Sequence, residues 1–131
     1  MTVCAIGYFT EDNTIRSVFC ENEGFIDGVG FTLIKKYSGS WEVVETLVEK
    51  GNLNYLSEDD VEYLDDHCIN EYESEVDYIE HSNEYGCEYI YLYAEDEGQP
   101  PMWNVARPDT EFVPIVVLMM SQEEGYLQGV A

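Results

Sequence analysis

The sequence predicts an α+β fold: an antiparallel β-sheet with about three helices packed on one face. Three observations carry this. Runs rich in β-branched and aromatic residues stand at both ends of the chain, segments with helical spacing lie between them, and clusters of turn residues separate the runs. At 131 residues, with 45% hydrophobic and 14% aromatic content, residues 1–131 read as a single acidic domain long enough to bury a core.

Residues 2–9, TVCAIGYF, and 14–21, TIRSVFCE, are the first two strands, and Glu11, Asp12 and Asn13 supply the turn of an antiparallel hairpin. From Asp27 to Tyr37 the spacing of Val29, Leu33, Ile34 and Tyr37 is helical, with Asp27 as the expected N-cap. Ser40 is the expected cap of a second helix, in which Trp41, Val44, Leu47 and Val48 share a face and Gly51 ends the run. Ser57 followed by Asp60 resembles the start of a short third helix carrying Val61 and Leu64. Residues 69–85 fit two patterns. As a strand they place Glu71, Glu73, Glu75 and Asp77 on one face; as a helix they turn Ile69, Tyr72, Val76 and Ile79 inward. CEYIYLYAE, residues 87–95, alternates as a strand, MWNVA, 102–106, returns beside it, and residues 112–120 are the last core strand, with Pro114 near its start or at an edge.

Charge is the dominant functional signal. The chain has 28 Asp and Glu against 5 Lys and Arg, a formal net charge of -23. Residues 51–106 hold 16 of the acids and no Lys or Arg. Net charge speaks to partners rather than to fold, so the expected partners are cationic. Direct nucleic-acid binding is disfavoured, because affinity there comes from cations replacing counterions at phosphates. The inverse case fits better: a surface of carboxylates that imitates a phosphate backbone and occupies a basic groove. Either reading of residues 69–85 spaces its acids by about one helical turn or two strand residues, near the phosphate spacing of a duplex. The partner-binding candidates are Glu58, Asp59, Asp60, Glu62, Asp65, Asp66, Glu71, Glu73, Glu75, Asp77, Glu80 and Glu84. Tyrosines among them, from Tyr63 to Tyr93, are first of all core residues; any left exposed offer flat anchors for arginine.

Other chemistry finds less support. His67 and Cys68 with His81 or Cys87 match no metal-ligand spacing, and no calcium-binding loop is present, so no metal or other cofactor is expected. The two histidines sit among carboxylates that favour imidazolium, and the Gly-rich stretch 24–30 is no phosphate cradle, which argues against an enzyme. The four cysteines form no CxxC and are expected to be reduced and mostly buried. No basic leader or membrane-length apolar run occurs, which points to the cytoplasm and away from a membrane. The alternative function is a regulatory or scaffolding module whose acidity serves solubility and whose contact is an apolar patch at Pro100, Pro101 and Trp103.

SVFCENEGFIDGVGFTLIKKY, residues 17–37, followed by residues 44–56, resembles a group of small bacteriophage proteins. In these a strand ends in Cys-His-Trp-Asp-Gly-Tyr, a Val-Gly pair opens a helix, and a second helix ends at Gly-Asp-Leu. Cys20, Gly24, Phe25, Val29, Gly30, Leu33, Tyr37, Gly51, Leu53 and Leu56 match, and CEYIYLYAE looks like the later Tyr-rich strand of that group. Glu21, Asn22 and Glu23 replace His-Trp-Asp, so a site built on those residues is not carried over. The resemblance implies a phage protein acting in the host cytoplasm. With the charge it points to a noncatalytic DNA mimic of the anti-restriction or anti-CRISPR kind, directed at a basic host nucleic-acid-binding protein. A homodimer would lengthen such a surface.

Overall fold

The computed structural model describes residues 2–64, 68–95 and 100–116. Strands β1 (Cys4–Phe9) and β2 (Ile15–Cys20) form the antiparallel hairpin, in register from Cys4 opposite Cys20 to Phe9 opposite Ile15. The turn closes through the Thr10 amide, which donates to the Thr14 carbonyl at 2.8 Å, and Asn13 takes the left-handed conformation that its short polar side chain tolerates. Alternation then divides the strands. Cys4, Ile6, Tyr8, Val18 and Cys20 enter one buried cluster; Ala5, Ile15 and Phe19 enter the other.

Both faces of the sheet are therefore covered, and the remaining strands assemble around this hairpin. β6 (Tyr89–Ala94) runs parallel to β1, β7 (Met102–Ala106) returns antiparallel to β6, and the two-residue β8 (Val113–Pro114) pairs with β7. On the other side, the far edge of β2 is shared end to end. β3 (Leu53–Leu56) joins it in parallel at Cys20, and β5 (Asn70–Tyr72) pairs antiparallel with Ile15–Ser17. Between the two, the Asn52 side chain accepts the Phe19 amide at 2.8 Å. β4 (Val61–Tyr63) folds back on β3, giving the order β4-β3-β2-β1-β6-β7-β8 with β5 branching from β2.

The α+β class holds, but the sheet is mixed rather than wholly antiparallel. The reason lies in the connections: parallel pairing of β1 with β6 and of β2 with β3 needs long crossovers, which the helical segments provide. Nor do the helices share one face. α1 (Phe31–Lys36) and α2 (Trp41–Glu49) bury Leu33, Val44, Leu47 and Val48 in the cluster of Ile6, Tyr93 and Trp103, whereas α3 (Glu75–Tyr85) sends Tyr78 into the cluster of Ala5, Phe19 and Leu92.

Ser40 caps α2 by accepting the Val43 amide, and Gly51, at φ 100°, lies just past the helix end. Asp27 is not a cap. It lies within a π-helical turn, Ile26–Gly30, that precedes α1, and Phe25 holds the cap position without a side-chain bond. Close packing holds this turn: the Tyr91 hydroxyl donates to the Gly24 carbonyl at 2.7 Å, and a Cβ on Gly30 would lie 3.1 Å from the Tyr91 hydroxyl oxygen.

The helix expected after Ser57 is instead the β3–β4 turn. Ser57 and Asp60 do bond, Ser57 amide to Asp60 carbonyl at 2.8 Å and Asp60 amide to the Ser57 hydroxyl at 3.2 Å, but the bonds close a hairpin. Residues 69–85 realise both readings in succession. β5 ends at Tyr72, Ser74 caps α3 through the Asp77 amide at 3.1 Å, and this start rotates Tyr78 and Ser82 inward and leaves Val76 62% exposed. The last strand is shorter than expected: pairing covers Val113 and Pro114, and 117–120 lie outside the described residues.

Candidate partner-binding surface

The candidate carboxylates fall into two limbs carried by the two strands that share the edge of β2. One limb is the β3–β4 hairpin with Glu58, Asp59, Asp60 and Glu62; the other is β5 and α3 with Glu71, Glu73, Glu75, Asp77, Glu80 and Glu84. Asp65 and Asp66 lie outside the described residues, as does His67.

Not all of these acids are uncompensated. Lys35 reaches Glu58 at 3.1 Å, and Arg16 reaches Glu71 at 3.4 Å, so cations from the first third of the chain neutralise what looks unpaired along the sequence. Asp60 accepts the Tyr55 hydroxyl at 2.7 Å and the Val61 amide at 2.9 Å; Glu62 accepts the Asn54 amide group at 2.9 Å. The hairpin acids therefore have local structural work.

On α3 the acids divide. Glu75 and Asp77 stand in the first turn, where the unsatisfied amides of a helix start favour negative charge. Glu80 and Glu84 do not share that benefit. They lie one turn apart, both exposed, and Glu84 stands in the last turn, where the dipole disfavours anions and no basic residue answers it. Folding alone gives no reason for them.

A second acidic feature was not legible in the sequence. An open groove of about 1060 Å³ runs past the β1–β2 turn, with Tyr8, Phe9 and Trp41 as aromatic wall and Glu11, Asp12, Glu45, Glu49, Glu71 and Glu95 around it. Its one cation, Arg16, is spoken for: Nε and Nη2 donate to the two Glu49 oxygens at 2.8 Å each, and Nη1 turns to Glu71. The Tyr8 hydroxyl completes the network with a 3.0 Å bond to Glu49. The guanidinium holds the Glu49 carboxyl below its ordinary range, while burial first, and then the bond to Glu49, pushes the Tyr8 phenol up. The groove is thus acidic on balance, and Glu71 joins it to the β5–α3 limb.

The aromatic anchors are fewer than the sequence offers. Tyr72, Tyr78, Tyr91 and Tyr93 are buried, and Tyr63 and Tyr89 half-buried. Tyr85 is exposed, with its ring stacked on Phe19 at 3.8 Å and its hydroxyl bonded to Glu21 at 2.9 Å. Tyr89 does hold an arginine, the chain's own Arg107, at 4.5 Å. Of the apolar patch expected at Pro100, Pro101 and Trp103, Trp103 is buried with Nε1 donating to the Tyr37 carbonyl at 3.0 Å, whereas Pro100 is exposed and Pro101 half-buried.

The Tyr72 hydroxyl and His81 Nδ1 are 2.6 Å apart, which engages one ring nitrogen of that histidine. Among the described residues no three His, Cys, Asp or Glu side chains converge to hold a metal, and no helix is long and apolar enough to cross a membrane. Cys4, Cys20 and Cys87 are buried and Cys68 is exposed. No model of a known protein family, no curated protein and no solved structure matches the chain.

Proposed function

We propose that the protein is a noncatalytic inhibitor that mimics nucleic acid, and that its β5–α3 limb and the adjoining groove occupy the basic site of a host nucleic-acid-binding protein. The resemblance to small phage proteins makes a restriction or CRISPR component, or another DNA-processing protein, the class of target. The observation that carries the reading is the pair Glu80 and Glu84. These exposed carboxylates repel each other, and Glu84, in the last turn, opposes the helix dipole, so the fold bears their cost without return. A cationic partner supplies the return, and the same charge speeds encounter with it.

The test is a double substitution, Glu80→Lys with Glu84→Lys, measured for both stability and binding. Reversal should leave the fold intact or stabilise it by about 0.3–1 kcal/mol, the gain coming from Glu84 in the last turn. Binding to a basic protein captured from host lysate should weaken about a hundred-fold or more, and in the unaltered protein it should fall steeply with salt and with added duplex DNA. Unchanged affinity in the double variant, with the fold preserved, would reject the proposal.

A further inference from the structure

β1 and β2 meet at their open end through a pair of thiols. Cys4 opens β1, Cys20 closes β2, and the two are direct cross-strand partners. Bonded and non-bonded pairs alternate along an antiparallel ladder. With the Thr10 amide bonded to the Thr14 carbonyl, the alternation assigns Tyr8 with Arg16, Ile6 with Val18 and Cys4 with Cys20 to the bonded set. The Cα atoms of such a pair stand about 5.5 Å apart. That lies within the disulfide range of about 4.4–6.8 Å; the Cβ atoms of a bonded pair start at the wide end of about 4.5–5.5 Å and draw in to about 3.8 Å as the bond forms. The two side chains share one face of the sheet, and both are fully buried. Cys20 Sγ also approaches the Asn22 carbonyl at 3.5 Å.

We propose that Cys4 and Cys20 are a modification site: a dithiol that hydrogen peroxide closes to a cross-strand disulfide, pinning the end of the hairpin from which the loop at 21–24 departs. Cys20 is the sulfur beside the departing loop, with Sγ turned toward the Asn22 carbonyl, and the neighbouring Cys4 thiol lowers its pKa whereas burial raises that of Cys4, so Cys20 is the attacking sulfur. It displaces hydroxide from the peroxide, breaking the O–O bond and forming a sulfenic acid; the thiol proton completes the first water. The Cys4 sulfur then attacks the sulfenic sulfur, the S–O bond breaks, and the Cys4 proton leaves with that hydroxyl as the second water. Two thiols lose two electrons and two protons, and one peroxide is reduced to two waters. Cys87, in the cluster on the opposite face and pushed by burial up to about 12, stays a thiol.

The experiment uses the full chain carrying Cys68→Ser, which removes the exposed thiol, treated with hydrogen peroxide, alkylated after denaturation and mapped by peptide mass. The expected product is one linked peptide pair holding Cys4 and Cys20, about 2 Da below the sum of the reduced peptides, with Cys87 alkylated and the link reversed by dithiothreitol. In Cys4→Ser the same treatment should leave a sulfenic acid at Cys20 that dimedone traps. Full alkylation of Cys4 and Cys20 after peroxide, pairing of either with Cys87, or direct conversion to sulfinic acid would each overturn the proposal. The mapping in the Cys68→Ser chain decides the matter even if Cys4→Ser does not fold.

Discussion

Arg16 grips Glu49 with two bonds of 2.8 Å, joining β2 to the last turn of α2 across 33 positions of sequence. This is the fork-to-carboxylate geometry that gives Arg its advantage over Lys. Both side chains are about one-third exposed, which limits the gain.

Glu49→Gln should therefore destabilise the protein by about 1 kcal/mol at neutral pH, read from urea unfolding. The Glu49 pKa is depressed in the fold, so its contribution is fully present above the ordinary carboxylate value and is lost as pH falls through the lower folded value. The difference between Glu49→Gln and the parent should be constant above about pH 5 and shrink below it. A difference that persists undiminished in acid would contradict this assignment.

Tyr78 is fully buried and donates to the Tyr91 carbonyl at 2.6 Å. Tyr78→Phe should cost about 1–2 kcal/mol, the worth of one buried hydrogen bond. Val76→Ala, two positions away but 62% exposed, should shift stability by less than about 0.5 kcal/mol. Thermal unfolding of the pair checks which residues of α3 face the sheet.

Burial also raises the Tyr78, Tyr91 and Tyr63 phenols, Tyr63 to about 12. An unfolded tyrosine ionises near pH 10 and a folded one only above its raised value, so this stabilisation is whole below pH 10 and lost as pH climbs through that window. Alkaline unfolding should coincide with the rise of tyrosinate absorbance. Free titration of all tyrosines with the fold intact would refute it.

A Cβ on Gly24 would sit 2.7 Å from the Cys4 Cβ and 2.9 Å from the Thr2 carbonyl oxygen, a collision with backbone that cannot simply rotate away. Gly24→Ala should cost about 2–3 kcal/mol. Gly39→Ala meets open space and is strained only by its φ of 99°, so about 1 kcal/mol is expected there. Equal effects in urea unfolding would show that crowding at Gly24 is relieved by movement.

The sequence signals that were legible were local. The β1–β2 hairpin, the Ser40 cap and the strand at residues 102–106 follow from alternation, turn residues and capping chemistry that act within a few positions. Ser57 and Asp60 show the limit: the same hydroxyl-to-amide bond serves a helix start or a hairpin turn, and the choice was made by β3 finding β2. The parallel pairing of Cys4 with Tyr89 and the meeting of Arg16 with Glu49 span far larger separations, for which no periodicity exists. The charge reading suffered likewise at Glu58 and Glu71, because Lys35 and Arg16 are distant in sequence from the acids they neutralise.

The divided edge of β2 bears on self-association. An unpaired strand edge invites another molecule to add to the sheet, and here β3, the Asn52 side chain and β5 fill that edge in three pieces. The acidic limbs are thus also a cover over a sticky seam. Shortening either limb would bare part of it, so the segment that gives the protein its charge also closes the middle of its sheet to strand addition.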